Sequence, residues 1–219
     1  MQNEDAGSKS DRRLFNSPPV VIGTVLVLVA AHAARMLFEG DWDRLALIPV
    51  RVPSQWWSLI TYAFLHGDWV HLGLNSLWLL VFGTPVARWF GSLHFLAISA
   101  ISAIGGAIAM VISDPGGTIP VIGASGAVSG LMAAAIPVMY GRFGRPLLPR
   151  ELLHDRRALI FIVIWLLITL VTGSHALIGE EGVRVAWEAH LGGFFAGLLS
   201  YIVLIRRTMR QRLADGGRP

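Results

Sequence analysis

The stretch Gly123–Gly130, GASGAVSG, decides how this chain is read. It carries no charge and no side chain larger than valine, yet it lies among runs of strongly apolar sequence. Three readings are open: a flexible joint, a close-packed helix face, or the seat of a nucleophile. Gly126 and Gly130 stand four apart, as do Ser125 and Ser129. On a helix each pair shares a face one turn apart. The glycines then form a small-xxx-small stripe that lets another helix backbone approach, which large side chains would prevent.

The surrounding composition sets the solvent. Of 219 residues, 54% are hydrophobic and 15% are charged, and the mean hydropathy is +0.59. A soluble domain carries roughly 25% charged residues. The chain therefore reads as all-α and polytopic in the membrane. Six apolar segments can be marked, at about Val20–Met36, Val70–Phe90, Leu93–Ile112, Ser125–Tyr140, Ala158–Gly173 and Ala189–Ile205. The fourth and fifth are short against the roughly 20 residues that cross a bilayer core. There is no cysteine, so disulfides, thiolate nucleophiles and cysteine metal sites are excluded. Neither a metal nor a cofactor is expected. No removable signal peptide is read in the polar N-terminus.

Charge orients the segments. Lys9, Arg12 and Arg13 precede the first, and Arg88 follows the second. Arg142, Arg145, Arg150, Arg156 and Arg157 lie between the fourth and fifth, and Arg206, Arg207, Arg210, Arg212 and Arg218 follow the sixth. Positive-inside places these on the cytoplasmic side, with both termini. Basic residues so distributed are explained better by a membrane than by nucleic acid. Residues 1–18 read as a cytoplasmic tail, 19–206 as one six-helix domain, and 207–219 as a basic cytoplasmic tail. The outer loop Leu37–Trp69 holds Trp42, Trp56, Trp57 and Trp69, which favour the membrane interface.

Polar groups at membrane depth need a reason. His71 and Asn75 open the second segment on one helix face, Ser125 and Ser129 open the fourth, and His190 opens the sixth. These openings lie on the outer side. Ser125 is a weak nucleophile until a base takes its proton, and His190 is the candidate base. Gly193 and Gly197 make a stripe below His190 that matches Gly126 and Gly130 below Ser125. Asn75, His71 and the Ser125 N–H, free in a first helical turn, are candidate oxyanion donors. Gly123 permits unusual backbone before the serine. No acid is expected in these openings, so the arrangement is a dyad without an orienting carboxylate. The plainer reading of each residue stands beside this one: a serine bonded to its own helix, an interfacial histidine, a packing stripe, an interhelical His–Asn clamp. Ser129 and His66 are candidates to orient the site. His32 has no evident partner, and His175 reads as a loop residue.

At these residues the chain resembles the rhomboid intramembrane serine proteases. The matching pieces are GASG, HLGLN and AHLGGFFAG, preceded by WSLITYAFLHGDWV, over about Val52–Leu204. The resemblance implies a six-transmembrane-helix rhomboid-like bundle without cofactor or metal. Ser125 would be the nucleophile and His190 the base, with His71, Asn75 and the Ser125 N–H as the oxyanion hole. It implies cleavage of single-span membrane protein substrates, within or next to their transmembrane helix and after a small residue, with lateral approach between helices two and five. A multi-pass place in a bacterial inner membrane, with the site near its outer face, follows the same pattern. Ser58, Ala87 and Ser129 depart from it, where relatives often have Arg, Glu and Tyr. A catalytically silent rhomboid-like protein that binds transmembrane clients is the alternative. A transporter or channel is expected to show an intramembrane acid, and the segment cores show none.

Overall fold

The computed structural model describes residues 17–142, 145–173 and 186–214. Six long helices run through them: α1 Pro19–Leu37, α2 Trp69–Phe90, α3 Ser92–Ser113, α4 Ser125–Met139, α5 Arg156–Gly173 and α6 Trp187–Ala214. Short helical turns occupy the connection between α1 and α2, and no strand forms among the described residues, only two isolated bridges. The all-α reading holds. Four helices, α1, α2, α3 and α6, are long and apolar enough to cross a bilayer. At 22 residues α2 and α3 reach about 33 Å.

Local chemistry starts and stops these helices. Pro18 and Pro19 open α1, where a missing N–H costs nothing. Asp68 caps α2 by accepting the His71 N–H at 2.8 Å. Gly91 alone joins α2 to α3, at φ 85°, a left-handed conformation that glycine adopts without strain. Helix α6 continues through the basic stretch from Arg206 to Ala214 rather than ending near Ile205.

The 15-residue α4 is the axis of the molecule. Every residue from Gly126 to Pro137 is buried, as expected of a helix enclosed on all sides. It packs against α2, α3 and α6. The closest contact is with α6. A Cβ on Gly193 would lie 3.0 Å from the Gly126 Cα, and one on Gly197 would strike the Gly130 backbone. The outer faces of the bundle are apolar: Leu26, Leu77, Ile101, Leu167 and Leu199 are all exposed. Such faces suit lipid, which asks only that backbone polar groups be paired internally.

Helix α5 is fastened at its N-terminal end. Asp155 accepts the Ala158 N–H at 3.2 Å and pairs with Arg142 at 3.0 Å and Arg157 at 3.3 Å. Arg145 grips Glu151 through two 2.7 Å bonds. These bonds, with the Leu148 N–H, hold the Glu151 carboxyl down at about 2. The Leu147 N–H meets the Pro137 carbonyl at 2.8 Å, and the Tyr201 hydroxyl bonds the Leu147 carbonyl.

At the other end, the connection between α1 and α2 pairs with the segment before α4. Leu47 and Val121 exchange backbone bonds of 3.0 and 2.9 Å. Trp57 donates to the Arg44 carbonyl at 2.8 Å and Thr61 to the Leu45 carbonyl at 2.8 Å. Ser58 and Ala87, two of the departures noted above, are both buried.

Candidate active site

Ser125 is the first residue of α4, after the N-cap Ala124. Its N–H belongs to the first turn and has no acceptor within the helix. A cavity of about 350 Å³ lies beside it. Ser125, Ser129, Asn75 and His190 all line this space, together with Trp78, Phe82, Phe161 and Trp165. Three helix openings distant in sequence thus share one cavity. Among the described residues no hydrogen bond joins Ser125 to His190, although both line the same cavity. Such pairs are often long or poorly aligned without substrate.

His71 approaches from the α2 side. Gly123 stands at φ 125°, and a Cβ there would lie 2.8 Å from His71 Nε2 and 3.8 Å from Asn75 Nδ2. Glycine is therefore demanded twice, by conformation and by space. The Asn75 amide donates to the His71 carbonyl at 3.1 Å and keeps a second hydrogen for another partner.

His66 sits behind this turn. It is fully buried, accepts the Ala124 N–H on Nε2 at 3.4 Å, and meets the His71 ring edge-on at 5.1 Å. Its carbonyl takes the Arg35 guanidinium. Burial, reinforced by His71, lowers the His66 imidazole to about 4. It is then neutral near pH 7, with a lone pair available to Ala124.

Ser129 is buried and faces the cavity with no hydrogen bond to His190 among the described residues. Gly126 and Gly130 face Gly193 and Gly197 across the α4–α6 contact. His175 lies outside the described residues.

Two expectations are corrected. Acids do occur at the helix openings. Glu188 is buried in the first turn of α6, and Asp68 caps α2. Helix α6 begins at Trp187, two residues before the Ala189 that the apolar pattern marks. Glu188 still does not orient His190 from its own helix, because residues two apart point to different sides. The second concerns His32, which does have a partner: its buried ring meets Trp69 edge-on at 4.5 Å.

The sequence reading missed Tyr62. Its carbonyl accepts the Gly123 N–H at 3.0 Å, and its buried hydroxyl donates to the Ala103 carbonyl at 2.8 Å. A Cβ on Gly126 would lie 2.8 Å from that hydroxyl. Tyr62 therefore ties the turn before Ser125 to α3 and fills space left by Gly126. Burial pushes its phenol well above the ordinary range. A tyrosine four residues before His66 was the available signal. Among the described residues no group of three His, Cys, Asp or Glu is arranged to hold a metal ion.

A helical membrane bundle with a largely apolar cavity into which a few polar groups open is the class that fold and site define. Residues 53–207 match the family model described as Rhomboid domain. The chain belongs to the rhomboid family, and it is an integral, multi-pass membrane protein. It is similar to RHOMBOID-like protein 5 of Arabidopsis thaliana, 30% identical over 68% of this chain and 45% of that protein. It is also similar to the Rhomboid protease AarA of Providencia stuartii, 27% identical over 92% of this chain and 70% of that one. The putative rhomboid protease YdcA of Bacillus subtilis is 27% identical over 72% of each chain. The match spans 45% of RHOMBOID-like protein 5 and 39% of RHOMBOID-like protein 4, also of Arabidopsis thaliana, so it covers less than half the length of these two relatives.

Proposed function

We propose that this protein is an intramembrane serine endopeptidase that cleaves single-span membrane proteins within or next to their transmembrane helix. One observation carries the reading: Ser125, His190 and Asn75, from three different helices, line a single cavity. In the proposed reaction His190 takes the Ser125 proton as Oγ attacks the scissile carbonyl. The Ser125 N–H, the Asn75 amide and the His71 ring receive the oxyanion. His190 then gives the proton to the leaving amine, and water, deprotonated by His190, releases the acyl group.

The cavity wall supports lateral approach of the substrate. Trp78 and Phe82 of α2 face Phe161 and Trp165 of α5 across it. Phe82 meets Phe161 edge-on at 6.2 Å, nearer the end where the ion pairs hold α5. Both termini would be cytoplasmic and the site would open near the outer face of a bacterial inner membrane. Residues 19–206 would form the six-helix domain between two cytoplasmic tails.

The test is a membrane-tethered reporter with Ser125→Ala, inserted to the same level as the parent. Cleavage should vanish, and a serine-reactive fluorophosphonate should label the parent at Ser125 alone. The missing Ser125–His190 hydrogen bond favours a second reading, a catalytically silent protein that binds transmembrane clients. Absence of labelling with retained client binding would select it.

A further inference from the structure

Helices α3 and α6 approach most closely where small residues meet. A Cβ on Gly105 would lie 3.1 Å from the Gly192 carbonyl oxygen, and one on Gly192 would lie 3.0 Å from the Gly105 carbonyl carbon. Ala196 and Ala109 flank this contact. Toward the other end of the pair the facing residues are larger. There a groove of about 400 Å³ opens, with Ala97, Ile101, Leu199 and Val203 along it. Ile101, Leu199 and Val203 are exposed, so the groove faces the surroundings of the bundle. The Ser200 hydroxyl in its wall is spent on the Ala196 carbonyl at 2.8 Å. The long part of the groove therefore offers nothing polar.

Its end is different. His94, from the first turn of α3, and Arg207, from α6, close the groove together. Arg207 is exposed, and among the described residues it has no ion-pair partner. His94 places Nδ1 2.8 Å from the Phe90 carbonyl, which leaves Nε2 for another partner. This is the end of the bundle where the basic residues concentrate. An apolar channel at membrane depth that ends on a guanidinium with no ion-pair partner among the described residues matches one molecule in both parts: an acyl chain along the channel and an anionic headgroup at the arginine.

We propose that the α3–α6 groove is a binding site for one anionic phospholipid of the leaflet that faces Arg207, with an acyl chain along Ala97, Ile101 and Val203 and its phosphate on Arg207. The net negative charge of an anionic headgroup, whose phosphate no choline offsets, is worth about 1 kcal/mol to an arginine at the surface, roughly a fivefold preference. The site lies on a face of α6 away from the cavity that holds Ser125, and it does not depend on the protease reading.

The test is native mass spectrometry of the full chain, equilibrated with equal phosphatidylglycerol and phosphatidylcholine of identical acyl chains. The parent should retain one phosphatidylglycerol in preference. Arg207→Gln should cut that preference about fivefold, while Arg150→Gln, on another exposed basic residue, should not. Ala97→Trp should fill the groove and remove the retained lipid whatever its headgroup. Val203→Trp fills it from the α6 wall and guards against a misfolded Ala97 variant, with thermal unfolding as the check on both. Equal retention of the two lipids by the parent would overturn the proposal. So would full retention by both tryptophan variants, displacement of the lipid by inorganic phosphate alone, or a dimer cross-linked through this groove with no lipid held.

Discussion

Gly193→Ala tests whether the α4–α6 contact sets the geometry of the site. The added methyl would lie 3.0 Å from the Gly126 Cα and 2.7 Å from its carbonyl carbon. Ordinary contact for such atoms begins near 3.5 Å. The obstacle is backbone, so no side-chain rotation relieves it. The Gly126 carbonyl oxygen is nearer still, so the helices must part by more than about 1 Å at this level, and overpacking of this kind costs about 1–3 kcal/mol. The displacement falls between the two reacting groups: Gly126 follows Ser125, and Gly193 is one turn after His190. A misplacement of about 1 Å can cost about 10²-fold in rate. Reporter cleavage should fall by that order while the protein still inserts and unfolds cooperatively at a lower temperature. Gly23→Ala is the control, since a Cβ there meets nothing within 4 Å. It should leave cleavage unchanged. Full activity in Gly193→Ala would refute the claim that backbone proximity positions the dyad.

Three further outcomes are expected. Asn75→Ala should lower cleavage about 10²-fold with little change in unfolding temperature, the loss typical of one oxyanion donor; loss of insertion instead would mark Asn75 as a structural clamp. Tyr62→Phe removes the second bond to the Ala103 carbonyl, which stays paired within α3, and should destabilise by about 0.5–1.5 kcal/mol in denaturant titrations in detergent. An unchanged midpoint would show that the 2.8 Å bond contributes nothing. The Arg145–Glu151 pair should make stability acid-dependent. The Glu151 carboxyl is depressed from 4.5 to about 2, so its contribution is present above pH 4.5 and disappears as pH falls through about 2. Arg145→Gln should flatten this part of the stability profile, and a parallel decline in both proteins would refute the assignment.

Much of this molecule is legible without coordinates, for a physical reason. A bilayer punishes exposed backbone and unpaired charge so strongly that apolar runs declare the helices. The same rule makes Ser125, Asn75 and His190 conspicuous, because polar groups at membrane depth are few. Helix-face arithmetic also paired Gly126 and Gly130 with Gly193 and Gly197, since a four-residue stripe of small side chains has few uses at depth.

What the sequence determined by itself was therefore one-dimensional: which residues are apolar, which polar ones interrupt them, and which share a face of their own helix. Tertiary structure decided what lies beside what. The edge-on contact of His32 with Trp69, the bond from Ala124 to His66, and Tyr62 beneath Gly126 join positions 37 to 64 residues apart. No periodicity encodes such partners. It also decided that α4 is enclosed and α5 peripheral, though their segments are alike in apolar composition. That difference comes from which helices the small residues allow to approach, a property of pairs of faces and not of either sequence alone.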